Sequence, residues 1–240
     1  MPAVSAADLD LLRKYDTPTI CNVVEIFDRR PRQSGYMDGR IQACYPKLPP
    51  MVGYASTATF RSASPPRSGN VYSGLDQQVE SFAGLPGPPV VVFQDLDSPI
   101  ASATFGEVMC TTYKTFGAVG LITSGAGRDL DQVEALHFPC FTAGTVCAHG
   151  NCHIPSIDVP VHVGGVMIHP GDLLHGDRNG VTTIPTEIAA AVAHGCADYM
   201  TAEAVVMDYL KVGRVTPKGF AAARNECKSM IDALAKRLKK

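Results

Sequence analysis

Glu107, a gap of twenty residues and the adjacent pair Arg128-Asp129 are the residues of this chain whose types and spacing could do chemistry. The planar guanidinium of Arg128 offers a bidentate fork to a carboxylate or an enolate oxygen. Beside it, Asp129 supplies a hard oxygen ligand of the kind Mg2+ prefers. Glu107 stands in the run Gly106-Glu107-Val108-Met109, where a helix is expected to open. The first amides of a helix have no intrahelical partner and carry partial positive charge, so Gly106 to Met109 form a candidate anion cradle. Gly106 lets an anion come close to that backbone, and Glu107 can add a water-mediated contact. Arg-Asp neighbours and Gly-Glu helix starts are also ordinary surface chemistry, so these types alone leave a solvated reading open.

The elements around these residues must bring them together. Apolar periodicity predicts a helix from Gly106 to Phe116 and a buried strand from Ala118 to Thr123. The loop Gly125-Ala126-Gly127 then returns Arg128 and Asp129 toward the helix start. Upstream, Ser5 to Tyr15 reads as a helix capped by Ser5, and Thr17-Pro18 opens a second with Ile20, Val23, Val24 and Phe27 inward. Residues 29–50 read as irregular surface chain with no role. Met51 to Arg61 reads as a strand, followed by a loop to Asn70; Arg61 or Arg67 could face an anion, although solvent exposure is the simpler reading. Ser73 to Phe82 is a candidate helix, and Val90 to Phe93 a buried strand ending in Asp95 and Asp97. Asp95 lies where open α/β sheets place ligands, although a strand-ending turn acid is the simpler reading. The βαβα alternation from 90 to 143 predicts parallel strands covered by helices. Glycine turns between Val159 and Ile184 predict antiparallel hairpins, with Asp172 and Asp177 as turn residues. Helical spacing resumes at Thr186, and Gly213 with Pro217 separates a final amphipathic helix ending in Lys and Arg.

At 240 residues and 45% hydrophobic composition the chain can bury one large core with an appended tail. Its 21 Lys plus Arg against 23 Asp plus Glu give a net charge of -2, so no global field recruits nucleic acid or an anionic membrane. No run reaches the roughly 18 apolar residues of a membrane span, and the amino terminus has no basic, apolar leader pattern, so a cytoplasmic protein is expected. Eight cysteines, several inside apolar runs, do not read as a disulfide framework. Cys147, His149, Cys152 and His153 are zinc-ligand types without the paired, separated halves of common structural zinc sites. No lysine is placed for a Schiff base, since Lys114 lies about two turns past Gly106. No Gly-x-Gly-x-x-Gly turn follows a strand, which weakens nucleotide-cofactor readings.

The acid, twenty residues, Arg-Asp spacing resembles the signature of the RraA-like family, which includes the class II 4-hydroxy-4-methyl-2-oxoglutarate aldolases and the RNase E regulator. Further segments extend the resemblance over roughly residues 8 to 210. They are Asp16-Thr17, Gly53-Tyr54-Ala55-Ser56-Thr57, Pro160-Val161 with Gly164-Gly165, Pro170-Gly171-Asp172 and Asp177-Arg178-Asn179-Gly180-Val181. Glu107 stands where those aldolases tend to carry Asp. The resemblance implies an α/β fold of the swivelling β/β/α type: a single domain with a central mixed sheet, flanking helices and a C-terminal helical tail. The domain would cover residues 1–210, with 211–240 packed on a neighbouring subunit of a homotrimer or homohexamer. It also implies a metal-dependent lyase acting on a small-molecule 2-oxo acid, with oxaloacetate decarboxylation as a companion reaction. Mg2+ or Mn2+ would be held by Asp129, the pyruvate enolate stabilised by Arg128, and the substrate bound by Gly106, Glu107, Val108, Met109 and Arg128. A glutamate of the adjoining chain, for which Glu203 is the candidate, would assist. The rival the family offers is a binding protein like the RNase E regulator, without chemistry.

Overall fold

The computed structural model describes residues 4–239. Ser5 caps α1 (Ala6–Leu12) by accepting the Asp8 amide, and Asp16 caps α2 (Thr17–Ile26) by accepting that of Thr19. Pro18 sits in the first turn of α2, where a missing N–H leaves nothing unpaired. There follow β1 (Gln42–Ala43), β2 (Met51–Phe60), α3 (Leu75–Ser81), β3 (Pro89–Asp95), β4 (Ala103–Phe105), α4 (Glu107–Thr115), β5 (Gly120–Thr123), β6 (Ala126–Gly127), α5 (Leu130–Ala135), β7 (Cys140–Thr142) and β8 (Gly144–Thr145). Two hairpins come next, β9 (Val161–Val163) with β10 (Val166–Ile168) and β11 (Leu173–Asp177) with β12 (Gly180–Ile184). The helices α6 (Ala189–Lys211) and α7 (Pro217–Leu238) complete the described chain.

The main sheet has seven strands in the order β1-β7-β5-β3-β2-β11-β12. Its four inner strands β7, β5, β3 and β2 run parallel, while β1 and β11 pair antiparallel with their neighbours, so the sheet is mixed. Side chains of β3 and β5 alternate between two cores, as the period of two requires. Val91, Phe93 and Leu121 face Phe82, Tyr113 and Val133 of the α3, α4 and α5 side, whereas Val90, Val92 and Ile122 face Val161, Val163 and Ile168 of the β9-β10 hairpin. Burial on both faces explains the unbroken apolar run of β3. A third core joins Val52 and Tyr54 to Leu12, Ile20 and Val192 of α1, α2 and α6.

Residues 29–50 differ from expectation. Met37, Ile41 and Tyr45 are buried, and β1 extends the sheet by pairing Gln42 with Thr142 and Ala43 with Phe141. A two-residue strand carries no periodicity of its own, so its pairing partner creates it. Asp172 is a turn residue as expected, accepting the His169 amide. Asp177 does more: its buried carboxylate also accepts the amide of Thr17 at 3.0 Å and fixes the start of α2. The tail helix α7, capped by Thr216, folds back along α6 of its own chain and buries Ala223 and Leu234. Arg237 pairs with Asp198, and Lys239 with Asp28 at 3.1 Å. Toward the turn between the two helices, Met200, Met207, Leu210, Val212, Val215 and Phe220 stay exposed. Among the described residues, no helix is long and apolar enough to cross a membrane.

Candidate active site

A second, three-stranded sheet in the order β4-β6-β8 assembles the site. β4 runs into Gly106 and α4; β6 runs into Arg128 and Asp129. Parallel pairing of Ala103 with Ala126 and Phe105 with Gly127, continued by Arg128 N–H donating to the Phe105 carbonyl at 3.0 Å, therefore lays the pair beside the helix start. Asp129 adopts φ +53°, a left-handed conformation that Asp tolerates better than most residues, and its carbonyl accepts the Val133 amide as α5 begins. Its Oδ2 accepts the Glu107 amide at 3.0 Å, and Arg128 Nε lies 3.7 Å from the same oxygen. Oδ1 has no hydrogen-bond partner among the described residues.

The role of Gly106 thus differs in part from the expected one. Its φ of -156° is ordinary extended backbone, but an added Cβ would fall 2.5 Å from Asp129 Oδ2 and 3.0 Å from Arg128 Nε. The close approach that glycine permits is first that of the chain's own carboxylate. Glu107 N–H is committed to that carboxylate, which leaves the amides of Val108 and Met109 as first-turn donors without intrahelical partners. The Glu107 side chain is exposed.

Two clefts flank Arg128. One is bounded by Gly106, Val108, Met109 and Arg128 and holds about 10 Å³, room for roughly one water. Tyr72, His149 and Cys152 wall it, none of which was expected there. Tyr72 lies in a loop that carries no motif, and the Cys/His segment draws attention only as a metal set. The other cleft, about 290 Å³, runs along Arg128 and Asp129 to Thr145, Val146 and the exposed Cys147.

The Cys/His segment does not converge on a centre. His149 Nδ1 faces the Gly150 carbonyl at 2.9 Å and lies 4.0 Å from Cys152 Sγ, while His153 Nδ1 faces the Asn151 carbonyl at 2.8 Å. Among the described residues no three His, Cys, Asp or Glu side chains are grouped to hold a metal ion. The cysteines are free thiols. Burial raises the Cys152 thiol, opposed by its hydrogen bonds to Tyr72 and the nearby Arg128 charge.

Asp95 is more than a turn acid. Its Oδ1 accepts the Asp97 amide at 2.9 Å, while Oδ2 is buried without a partner, packed against Gly125. Desolvation pushes its pKa up to about 6. Lys114 donates to the Leu136 carbonyl, bridging α4 and the end of α5. Glu203 lies on α6, where partial burial and then the charge of Asp16 raise its pKa; Tyr199 and Cys227 feel its charge in turn. Its surroundings in this chain are therefore α2 and α7.

The sheet order, the small β4-β6-β8 sheet and the Arg-Asp pair set beside a helix start define a mixed α/β protein. The sequence profile of the family described as RraA-like, Aldolase/RraA, matches residues 17–183. The chain belongs to that family. A Halalkalibacterium halodurans protein provisionally named 4-hydroxy-4-methyl-2-oxoglutarate aldolase is 38% identical over 124 residues, half of this chain and 58% of that relative's length. The match thus spans less than two thirds of that relative. Among solved structures, an uncharacterized Pseudomonas syringae protein superposes with a TM-score of 0.71 at 20% identity, over 93% of this chain and 95% of its own. Streptomyces coelicolor RraAS2, described as an unusual member of the RNase ES inhibitor RraA family, superposes with a TM-score of 0.65 at 24% identity, over 85% and 96%. These two likenesses establish the fold.

Proposed function

We propose that this protein is a divalent-metal-dependent lyase that cleaves a pyruvyl-containing 2-oxo acid through a pyruvate enolate. The observation that carries the reading is the placement of Arg128 and Asp129 at the start of α4, within reach of the two free amides of Val108 and Met109. A metal that keeps most of its water shell suits this donor set: one carboxylate oxygen, Oδ1 of Asp129, with no competing histidine or thiolate cluster among the described residues. Asp129 would hold Mg2+ or Mn2+ there, and the metal would supply Lewis-acid polarisation of the 2-oxo carbonyl. The Val108 and Met109 amides bind the substrate carboxylate, and Arg128 stabilises the enolate oxygen as the carbon-carbon bond breaks. A bond to a hydroxylated carbon gives retro-aldol cleavage; a bond to a carboxylate gives decarboxylation. In a homotrimer or homohexamer, the exposed apolar side chains of α6 and α7 would face a neighbouring subunit, and Glu203 of the adjoining chain would move the proton.

Pyruvate release from 4-hydroxy-4-methyl-2-oxoglutarate and from oxaloacetate, with Mg2+ or Mn2+ and with EDTA, tests this. Release should require metal, fall about 10²- to 10³-fold in Arg128→Ala, and be lost together with metal binding in Asp129→Ala. A folded, metal-loaded protein that releases pyruvate from neither compound would shift the reading to a non-catalytic binding protein.

A further inference from the structure

Arg61, Arg67 and His153 line a cleft of about 950 Å³, together with the polar Ser64 and Asn70 and the ring of Tyr72. Two loops that sequence separates by some eighty residues form it, and backbone hydrogen bonds stitch them together. Arg61 and His153 exchange two at 3.1 and 3.0 Å, the Asn151 amide donates to Ser62, the Tyr72 amide to Cys152, and the Ile154 amide to Ser73. The root of the first loop is clamped by Asp97, whose Oδ2 accepts the amides of Ser62 and Ala63 at 2.7 and 2.8 Å. Asp97 also lies 3.6 Å from Arg61, whereas Arg67 has no ion-pair partner among the described residues. Asp76 is the carboxylate on the cleft wall.

The cleft adjoins the candidate active site. Tyr72 lines both the Arg61-Arg67 cleft and the small space beside Arg128, and its ring lies 5.7 Å from that of His149. Its φ of +70° is rare for a bulky residue and is held by the hydrogen bond that its N–H donates to the Cys152 carbonyl. The space at Gly106 and Arg128 holds roughly one water, so a substrate bound there extends beyond it, either along the cleft of about 290 Å³ toward Cys147 or past Tyr72 into this larger one. A cleft of this size holds a small organic ligand, and two arginines against a single carboxylate, Asp76, in its lining favour an anion. Building on the 2-oxo acid reading above, we infer that this cleft is an anion subsite that takes a carboxylate or phosphate at the distal end of the substrate.

Titration calorimetry with inorganic phosphate and, separately, glutarate probes the subsite alone and tells the two anions apart. Binding should survive Arg128→Ala and weaken at least about tenfold in Arg67→Ala, with the melting temperature of the latter unchanged. Pyruvate, 2-oxoglutarate, 2-oxoadipate and 2-oxopimelate then test the link: affinity should rise at the length that spans both sites, and Arg67→Ala should erase the rise while leaving pyruvate binding intact. Anion binding that persists in Arg67→Ala and vanishes in Arg128→Ala overturns the subsite, as does no binding of either anion. Arg67-dependent anion binding by a protein with no affinity for pyruvate keeps the subsite and overturns the 2-oxo acid reading.

Discussion

A methyl group at position 106 would press on both Asp129 and Arg128, and the extended φ there means that alanine meets no backbone objection. Gly106→Ala therefore isolates the steric term. It should cost about 1–3 kcal/mol of stability through overpacking, and weaken Mn2+ binding and pyruvate release together, measured by calorimetry and by turnover. Asp95 gives a second test at this scale. Its folded pKa of about 6 lies above the ordinary unfolded value of about 3.9, so protonation favours the folded chain and stability is lost as pH rises between the two values. Partial solvent access limits the loss to about 1–2 kcal/mol. Asp95→Asn should be more stable than the native chain in urea at neutral pH, an advantage that disappears near pH 4. The position of Asp95 at a strand end was legible in the sequence; the unpartnered buried oxygen was not, because Gly125, about thirty residues further on, covers it.

Among the elements, the long runs were readable and the short ones were not. β2, β3, β5, α4 and α6 carry their own periodicity or apolar runs, so their order and the parallel core follow from sequence. β1, β4, β6 and β8, three residues or fewer, exist because partners pair with them, yet β4 and β6 are what set Arg128 and Asp129 beside α4. The wall formed by Tyr72 and His149 was hidden for the same reason. The joint between α2 and β11 allows a pH test. His175 is fully buried: Nε2 faces the Leu12 carbonyl at 3.2 Å, which can only accept, so Nε2 carries the hydrogen and Nδ1 accepts the Thr17 hydroxyl at 2.9 Å. Burial holds its pKa below the ordinary value of about 6.5. The unfolded chain then takes up the proton first, and stability is lost as pH falls below about 6.5, at about 1.4 kcal/mol per unit until the folded pKa is reached. Thermal or urea unfolding from about pH 7 to about pH 5, in the Asp95→Asn background because Asp95 acts in the opposite sense below about pH 6, measures this slope. His175→Asn should flatten it whatever the variant costs in absolute stability.

At the scale of the whole molecule, the outer halves of α6 and α7 carry the largest unpartnered apolar face described above, with Met207 54% and Val212 66% exposed. Single exposed hydrophobics need no explanation; in the oligomer proposed above, these would face a neighbouring subunit. Sedimentation should give the mass of a trimer or hexamer, and Met207→Glu combined with Leu210→Glu should lower both that mass and pyruvate release. A native chain that releases pyruvate at full rate as a monomer would remove the adjoining Glu203 from the mechanism.

Asp129 joins two helices at once: its side chain receives the first amide of α4 and its carbonyl receives the Val133 amide of α5. Whatever draws on that carboxylate must alter the bond to the Glu107 N–H. That single proton is consequently an internal gauge of the site, readable by its NMR shift and its exchange with deuterium, without a substrate or a coupled assay.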